Sequence, residues 1–390
     1  MRKIALALAC LVAAGTGLAV TPGTDLFVPA VAHGTGFNQA QWRADLWVFN
    51  PSTSQAATVT VFLLLRQPNP TPASQVVTVS PGETRYFQDV VGSGLFQQSN
   101  ASGGLRVTST VPVLVTAESY NSNVTTSLGT GTSGQFFGGV PASLAVGVND
   151  ATDLIGLDQD GADTSGKFRS NLAIVETTGA VADLVLDRYD SDGTLLGSYA
   201  CDGTNAACPP LGAWEVRQLN LVLANFTPAI GTNQRIRLRV TGGTGRVIAA
   251  GSRVDNATTD PSTIEMSGGG RTGTYLCKLA RIDYETPLSL TVDQGAITAL
   301  DATILFTDVD VPTCDGQVMR LTGALQQPVV YDEQGGFGLT VGDSGLGVTL
   351  QLAGTITTTG TVAGSATVTL TGVSGCNGSK TWPFSGVKVP

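Results

Sequence analysis

The sequence contains a single histidine, His33, among its 390 residues, and this scarcity excludes several familiar enzyme classes. Ser-His-Asp and Cys-His nucleophile systems need a histidine base that a third group positions, and no Gly-x-Ser-x-Gly motif follows His33. Catalytic zinc sites generally use two or three histidines, which this chain does not have. His33 is therefore predicted to be a structural or exposed residue.

Charged residues are also scarce, at 13% of the chain, and acidic residues outnumber basic residues by 30 to 21. If Arg2 and Lys3 are removed with the N-terminal segment described next, 19 basic residues face 30 acidic residues, a net charge of −11. Nucleic acids and anionic membranes bind positively charged surfaces. Neither is therefore expected as a partner.

Long apolar runs are missing after the N-terminal segment, so no later stretch offers the roughly 18 apolar residues of a membrane helix. Residues 1–19 have the features of a secretory signal peptide. A basic start (Arg2, Lys3) precedes an apolar stretch at 4–14 and a small-residue cleavage site at 17–19. We therefore expect a secreted or otherwise exported protein, extracellular, on the cell surface or in the periplasm, without membrane insertion.

Cysteine is infrequent, and no two cysteines have the Cys-x-x-Cys spacing of a zinc site. Cys201 and Cys208 flank a short loop containing Gly and Asn, and an export compartment allows them to form a disulfide. Cys277, Cys314 and Cys376 are an odd number of thiols, so at least one of them stays unpaired. We favour a Cys314–Cys376 disulfide with a free Cys277, and the sequence leaves the other pairings open.

Glycine, in contrast, is abundant at 49 residues, and Ser and Thr are frequent. Apolar and polar residues alternate with period two along 57–66, which is the pattern of a half-buried strand. Turn residues separate this run from similar ones, and no amphipathic helix of comparable clarity follows residue 19. The sequence therefore predicts an all-β protein of short strands joined by tight turns.

Two stretches of the chain are similar enough to predict an internal duplication. Residues 42–46 (Trp-Arg-Ala-Asp-Leu) return as 168–172 (Phe-Arg-Ser-Asn-Leu), and residues 105–108 (Leu-Arg-Val-Thr) return unchanged as 238–241. The spacing between the copies increases along the chain, as expected when strands are retained and loops lengthen. Each copy has the strand and turn signals of an immunoglobulin-like β-sandwich.

The duplication and two Gly/Ser/Thr-rich stretches, at 127–134 and 267–273, predict the domain boundaries. The third region does not match the repeat, but its alternating segments predict a further β-sandwich. The predicted fold is all-β, with three consecutive β-sandwich domains, of which the first two are an internal immunoglobulin-like repeat. The predicted segments are a signal peptide at 1–19, module 1 at 20–130, module 2 at 134–264 and a C-terminal domain at 272–390.

The first copy carries a Trp-Arg-x-Asp-Leu strand, an Asn-Pro-Ser turn, a Pro-Gly turn, and an Arg-Val-x-Ser strand ahead of Tyr-Asn. These motifs lie at 42–46, 50–52, 81–82, 106–109 and 120–121. The set resembles poorly characterised secreted bacterial tandem immunoglobulin-like β-sandwich modules with a distinct C-terminal β-sandwich module. A Cys-x-Gly-x-x-x-Trp motif at 376–382 resembles the closing strand of another common secreted module. In the second copy Glu176 replaces Asn50 and Asp255 replaces Asn121. The resemblance implies a scaffold and no particular chemistry.

Two acidic loops are the candidates for metal binding. Carboxylate oxygens in a Gly-containing loop are ligands that Ca²⁺ prefers. Neither loop supplies the bidentate glutamate at the twelfth position of an EF-hand, and a solvated turn is the simpler alternative. The sequence indicates no cofactor other than calcium. The candidate ligands are Asp158, Asp160 and Asp163 in the first loop and Asp187, Asp190 and Asp192 in the second.

Trp47 and Phe49 form the candidate ligand-binding surface. They alternate with the residues of the same strand that both copies keep apolar, so they lie on its opposite face. The second copy has only Ala173 and Val175 at these positions, so the shared fold does not require large aromatic side chains there. Such a face is suited to stack a sugar or to contact a partner protein. The alternative is that a neighbouring module covers it.

The sequence therefore predicts an exported, acidic, non-catalytic binding or surface-structural protein of the adhesion type. Its expected partner is an extracellular protein or a glycan. A carbohydrate-binding, lectin-like protein that uses calcium is the main alternative. A hydrolase of unfamiliar type is less favoured, because no spacing singles out a catalytic pair among the 30 acidic residues.

Overall fold

The computed structural model of the chain is all-β apart from short helical turns. This confirms the predicted all-β class. The turns are Phe37–Gln39, Val90–Gly94, Ala142–Leu144 and Val222–Asn225. Within the described residues, no helix is long and apolar enough to cross a membrane. The predicted signal peptide lies outside them. The described residues are 22–389 except 127–128, 268–269, 281–285, 294–295, 306–317, 333–334, 344–346, 358–359 and 374–375.

The first strand set has eight strands, which pair into one sheet with two arms. The strands are β1 (Gly23–Thr35), β2 (Gln41–Phe49), β3 (Ala57–Leu65), β4 (Ala73–Val79), β5 (Thr84–Phe87), β6 (Ala101–Thr126), β7 (Gly129–Gly138) and β8 (Val140–Pro141). The inner arm has the order β4-β3-β6-β1-β8, and the outer arm has the order β5-β2-β6-β7. Apolar side chains of both arms form one core, for example Val48 of β2 and Val61 of β3.

The long strand β6 belongs to both arms. Residues 103–109 pair with β3 in the inner arm, whereas residues 114–121 pair with β2 in the outer arm. Pro112 lies between these stretches, where the sequence predicts a break between two strands. The structure instead continues the strand through Pro112. A proline, which has no N–H to donate, is tolerated at the point where the strand changes partners.

The second strand set repeats this arrangement in two four-stranded sheets. The strands are β9 (Ala151–Gln159), β10 (Phe168–Glu176), β11 (Ala182–Tyr189), β12 (Leu195–Cys201), β13 (Val216–Leu219), β14 (Gly231–Gly243), β15 (Val247–Asp255) and β16 (Pro261–Glu265). Their orders are β12-β11-β14-β9 and β13-β10-β15-β16. Thus β10 lies between β13 and β15, just as β2 lies between β5 and the second half of β6. The two similar sequence stretches therefore have equivalent strand neighbours.

The strand order is immunoglobulin-like at its centre and differs at its edges. As in an immunoglobulin domain, the second strand pairs with the fifth (β10 with β13) and the third with the sixth (β11 with β14). The first and seventh strands have exchanged places, because β9 lies beside the sixth strand and β15 beside the second. Period-two patterns fix which face of a strand is buried but not which strands pair, so the sequence did not reveal this exchange.

The third strand set is one sheet of eight antiparallel strands, where the sequence predicts a further β-sandwich. The strands are β17 (Gly273–Leu279), β18 (Thr286–Asp293), β19 (Ala296–Leu305), β20 (Val318–Val330), β21 (Gly336–Asp343), β22 (Val348–Ile356), β23 (Thr361–Val373) and β24 (Cys376–Lys388). The order β20-β19-β18-β17-β24-β23-β22-β21 places consecutive strands at the two edges, and these edges contact each other. The sheet therefore curls around a single core that includes Tyr275 and Trp382. Alternating burial is common to sandwiches and curled sheets, so the pattern does not distinguish them.

The first and second strand sets pack face to face. Phe27 and Leu64 of the inner arm form a buried cluster with Val175 and Val216 of the β13-β10-β15-β16 sheet. In the second copy, the face of β10 that carries Val175 is therefore covered. The equivalent face of the first copy carries Trp47 and stays partly exposed. Small side chains on β10 fit this close packing of two sheets.

Strand β7 occupies the stretch that the sequence predicts to be a linker, 127–134. It pairs with β6, so the described part of this stretch belongs to the outer arm. It also touches the second strand set, because Gln135 Nε2 donates to Ser252 Oγ at 2.6 Å and Thr263 Oγ1 donates to the backbone oxygen of Phe136 at 2.8 Å. A Gly/Ser/Thr-rich composition is thus compatible with a strand once a neighbouring strand satisfies its backbone hydrogen bonds.

The predicted Cys201–Cys208 disulfide is present and closes the loop that follows β12. Among the described cysteine side chains, Cys277 is buried and unpaired. Cys314 lies outside the described residues, and the side chain of Cys376 is likewise outside them. The Cys314–Cys376 disulfide therefore stays a prediction.

A thiol count tests this pairing. Cys277 is 3% exposed, and burial raises the pKa of its thiol to about 12, so little reactive thiolate forms. We expect the non-reduced chain without residues 1–19 to show no reactive thiol when native and one when denatured, measured with a chromogenic thiol reagent. The reduced, denatured chain should show five, since Cys10 is absent. Three thiols in the denatured, non-reduced chain would contradict the pairing.

Candidate functional site

Trp47 lies in an open cluster of aromatic rings on the outer arm. Its ring stacks on that of Tyr86 from β5, with centroids 5.0 Å apart, and lies 6.1 Å from the ring of Phe136 from β7. Trp47 is half-buried, while Tyr86 is 49% exposed and Phe136 is 56% exposed. We call Trp47, Tyr86 and Phe136 the aromatic face. It offers an accessible ring surface held by three strands of one sheet.

Phe49 lies two residues beyond Trp47 on the same side of β2, opposite Thr84 and Leu114 of the adjacent strands. It is half-buried. Ring contacts among the described residues join Trp47 to the other two rings of the aromatic face but do not include Phe49. The structure therefore places Trp47 in the cluster and Phe49 beside it.

Tyr86 and Phe136 are site residues that the sequence reasoning missed. Tyr86 alternates with the buried Phe87 in β5, which is a signal for exposure but not for proximity to Trp47. Phe136 lies in a stretch predicted to begin the second module. In the structure it belongs to β7, which pairs with β6 in the outer arm of the first strand set. Neither position is near Trp47 in the chain, so strand pairing alone brings the rings together.

A buried carboxylate fixes the edge of the aromatic face. Asp45 is 6% exposed and accepts the hydroxyl of Tyr86 at 2.6 Å, the hydroxyl of Tyr120 at 3.3 Å and the backbone N–H of Asp89 at 2.8 Å. The hydrogen bond to Asp45 raises the pKa of Tyr86 to about 12, and burial followed by the charge of Asp45 does the same for Tyr120. Both phenols therefore stay neutral donors, and Tyr86 is held against Trp47.

Glu118 of β6 supplies an acceptor on the same side of the sheet. Its register partners are Asp45 on one neighbouring strand and Phe136 on the other. Burial, and then the charge of Asp45, raises the pKa of Glu118. No hydrogen bond to its carboxylate is found among the described residues. The carboxylate is therefore free to accept hydroxyl groups from a ligand on the aromatic face.

His33 is joined to a carboxylate that stabilises a turn. Its Nδ1 lies 3.0 Å and 2.8 Å from the two carboxylate oxygens of Asp89, and Arg43 Nε lies 3.7 Å from the same carboxylate. Asp89 has φ +47°, and its side chain also accepts the N–H groups of Gly92 and Ser93. No described serine or cysteine side chain hydrogen-bonds to His33. This geometry favours the structural role that the sequence predicts for His33.

The carboxylates of the first predicted calcium loop point to separate partners. Asp158 forms an ion pair with Arg253 at 2.8 Å. Asp160 and Asp163 each accept a nearby backbone N–H at 2.8 Å, as aspartates in turns commonly do. The three side chains therefore do not converge on one point.

The second predicted calcium loop is similarly divided. Asp187 lies within β11 and pairs with Arg239 at 2.6 Å, while Asp190 and Asp192 accept the N–H of Thr194 at 2.9 Å and 3.0 Å. Across the described part of the chain, which includes all these aspartates, no group of three or more His, Cys, Asp or Glu side chains is placed to hold a metal ion. Calcium binding by the loops stays a prediction.

Comparisons with known proteins do not assign the chain to a family, since no family model and no curated protein matches it. Among solved structures, the crystal structure of Thermotoga maritima 1070 matches at 14% sequence identity over 30% of this chain and 92% of that chain. The TM-score is 0.23, which is too low to support a statement about fold or function.

Proposed function

We propose that this protein is an exported, non-catalytic binding protein of the adhesion type that recognises extracellular glycans through the aromatic face. One observation carries the proposal: the stacked pair Trp47 and Tyr86 is accessible on a sheet surface whose counterpart in the second copy is covered. Aromatic rings that a rigid sheet leaves accessible are suited to stack on the apolar face of a sugar ring.

The carboxylates beside the rings support a glycan rather than a purely apolar ligand. Glu118 is an acceptor for sugar hydroxyl groups, and Asp45 holds the Tyr86 ring through a 2.6 Å hydrogen bond. These side chains project from paired strands rather than from loops. Little conformational entropy is therefore lost when a ligand binds.

The remainder of the chain acts as a scaffold in this proposal. We infer two consecutive β-sandwich-type domains that form an immunoglobulin-like repeat, with the aromatic face on the first, followed by the curled third sheet as a further domain. The Cys201–Cys208 disulfide supports an oxidising location outside the cytoplasm. A rigid multi-domain scaffold that displays a binding surface is typical of adhesion-type proteins.

The variant Trp47→Ala tests the proposal. We expect the chain without residues 1–19 to bind at least one member of a broad glycan panel. Trp47→Ala should weaken that binding roughly tenfold, because a ring contact contributes about 1.4 kcal/mol. Affinity is measured by isothermal titration calorimetry. A repeat with a calcium chelator tests the acidic loops, since loss of binding would support the predicted calcium sites.

Two variants serve as controls. Tyr86→Phe keeps the ring and removes the hydrogen bond to Asp45, so it should lose less affinity than Trp47→Ala. Val76→Ala shortens a 64% exposed side chain on β4 and should bind as the wild type does. Equal affinities of the wild type and Trp47→Ala would contradict the proposal. If the wild type binds no glycan of the panel, a partner protein becomes the better candidate.

A further inference from the structure

A cavity of about 530 Å³ lies between the first and second strand sets. This volume falls in the range of roughly 300–1,000 Å³ that is typical of small-molecule sites. Apolar side chains such as Phe37, Trp42 and Leu172 line part of it. Its charged lining residues are two arginines, Arg66 and Arg169. No described residue that lines it is aspartate or glutamate, although the chain has 30 acidic residues.

Arg169 is the buried cation of this cavity. It is 9% exposed, and its guanidinium lies 5.6 Å from the centre of the Phe37 ring. One of its Nη atoms donates to Asn256 Oδ1. None of the ion pairs between described residues includes Arg169. Burying a charge is costly unless an opposite charge accompanies it. The neighbours of Arg169 satisfy a hydrogen bond and a ring contact but do not balance its charge.

Comparison of the two copies shows that the acid beside this arginine in the first copy is absent from the second. Arg169 corresponds to Arg43 of the first copy, which lies 3.7 Å from the carboxylate of Asp89. Asp89 and Leu221 occupy the same place in their copies, because both have positive φ (+47° and +52°) and both precede a helical turn. The second copy therefore keeps the arginine but replaces its acidic partner with leucine.

A hydrogen bond present in both copies also supports the equivalence of Asp89 and Leu221. The backbone N–H of Asp89 donates to the side chain of Asp45 at 2.8 Å, and that of Leu221 donates to the side chain of Asn171 at 3.0 Å. Asp45 and Asn171 are equivalent residues of the repeated strand motif. Asp45 and Asp89 of the first copy are thus replaced by the neutral residues Asn171 and Leu221 in the second, and both of these line the cavity.

We propose that the cavity between the two copies binds a small organic carboxylate, whose anionic group pairs with Arg169. A planar guanidinium is well matched to a carboxylate and forms strong charge-assisted hydrogen bonds with it. The aromatic and aliphatic part of the lining suits an apolar ligand body. Arg66 is an exposed residue of the cavity lining, and it donates to Gln218 Oε1. Its guanidinium adds a second positive charge to the lining. This site is separate from the aromatic face and does not depend on its role.

Benzoate, inorganic phosphate and the neutral benzamide are the probes that test the site. We expect the chain without residues 1–19 to bind benzoate saturably in calorimetry, more tightly than phosphate and at least roughly tenfold more tightly than benzamide. Equal affinity for benzoate and benzamide would overturn the anionic assignment. Equal affinity for benzoate and phosphate would overturn the organic part of it. Absence of saturable benzoate binding at millimolar concentrations would overturn the proposal as a whole.

Two variants that each make the local charge more negative, one by removing the cation and one by adding an acid beside it, complete the test. Arg169→Gln should weaken benzoate binding at least roughly tenfold. Leu221→Asp restores the acid of the first copy beside Arg169, and a positive φ suits aspartate better than leucine, so this variant should fold and still lose benzoate binding. Wild-type affinity in folded Leu221→Asp would overturn the role of Arg169. Arg235→Gln, which removes an arginine paired with Asp153, is the matched control and should bind benzoate normally.

Discussion

Replacing Asp150 with asparagine is expected to lower the free energy of unfolding by about 3–5 kcal/mol, the usual cost of breaking a buried ion pair. Asp150 is 1% exposed, and its carboxylate accepts the backbone N–H of Arg271 at 2.8 Å and the hydroxyl of Tyr331 at 3.2 Å. Nη1 of Arg271 lies 3.3 Å from the same carboxylate. Burial raises the pKa of Asp150, and the contacts with Arg271 oppose that rise. The variant removes this carboxylate from beside Arg271, which is 4% exposed.

The effect should be large because this network joins the second and third strand sets. Asp150 immediately precedes β9, while Arg271 lies just before β17. Nε of Arg271 donates to the backbone oxygen of Ile356 at 2.8 Å, at the end of β22. The hydroxyl of Tyr275 donates to the backbone oxygen of Arg271 at 2.8 Å. A single substitution therefore disturbs contacts from several strands at once.

Asp153→Asn is the matched control, since it makes the same chemical change at a more exposed ion pair. Asp153 pairs with Arg235 at 2.6 Å, and their side chains are 22% and 31% exposed. Pairs of this kind contribute about 1 kcal/mol or less. Urea unfolding followed by circular dichroism gives both free energies. Equal losses in the two variants would contradict the importance of burial at Asp150.

Replacing Glu176 with alanine is expected to lower the free energy of unfolding by about 3 kcal/mol, because it removes a fully buried carboxylate that accepts four hydrogen bonds. Glu176 is fully buried, and its carboxylate accepts the N–H groups of Thr178 at 2.8 Å, Gly179 at 2.7 Å and Trp214 at 3.0 Å. It also accepts the hydroxyl of Thr178 at 2.5 Å. These bonds hold the turn after β10 against the strand region before β13.

The first copy holds the equivalent turn with a side chain that both accepts and donates, because Asn50 Oδ1 accepts the N–H of Ser52 at 3.0 Å. Asn50, also fully buried, donates through Nδ2 to the backbone oxygens of Gln55 at 2.8 Å and Val79 at 3.1 Å. Both side chains accept the N–H two residues further on, so the replacement of Asn50 by Glu176 keeps this bond and exchanges the two donated bonds for further accepted ones. A loss of free energy of unfolding as large as that of Glu176→Ala is not expected from substitutions of exposed residues in the second strand set.

Glu265→Ala is the control for Glu176→Ala, because Glu265 is an exposed glutamate on β16 of the same strand set. Exposed substitutions usually change stability by about 0.5 kcal/mol or less. Unfolding in urea, monitored by tryptophan fluorescence, compares the two variants. A loss below about 1 kcal/mol for Glu176→Ala would show that the donors to Glu176 find other acceptors, water included.

The sequence alone determined the features that depend on neighbouring residues in the chain. Period-two alternation indicated strands such as β3, and turn residues indicated where they end. The short separation of Cys201 and Cys208 indicated their disulfide. The similarity of 42–46 to 168–172 indicated the duplication, because equal local patterns produce equal strands in equal order.

The tertiary structure alone decided which distant residues meet. It brought Tyr86 and Phe136 to Trp47, covered the equivalent face of the second copy, and curled the third strand set into a single sheet. It also paired Asp158 with Arg253, which divides the predicted calcium ligands. Alternation records only whether a side chain is buried. The choice of partner strand and register is made by the packing of the whole chain, which no local pattern encodes.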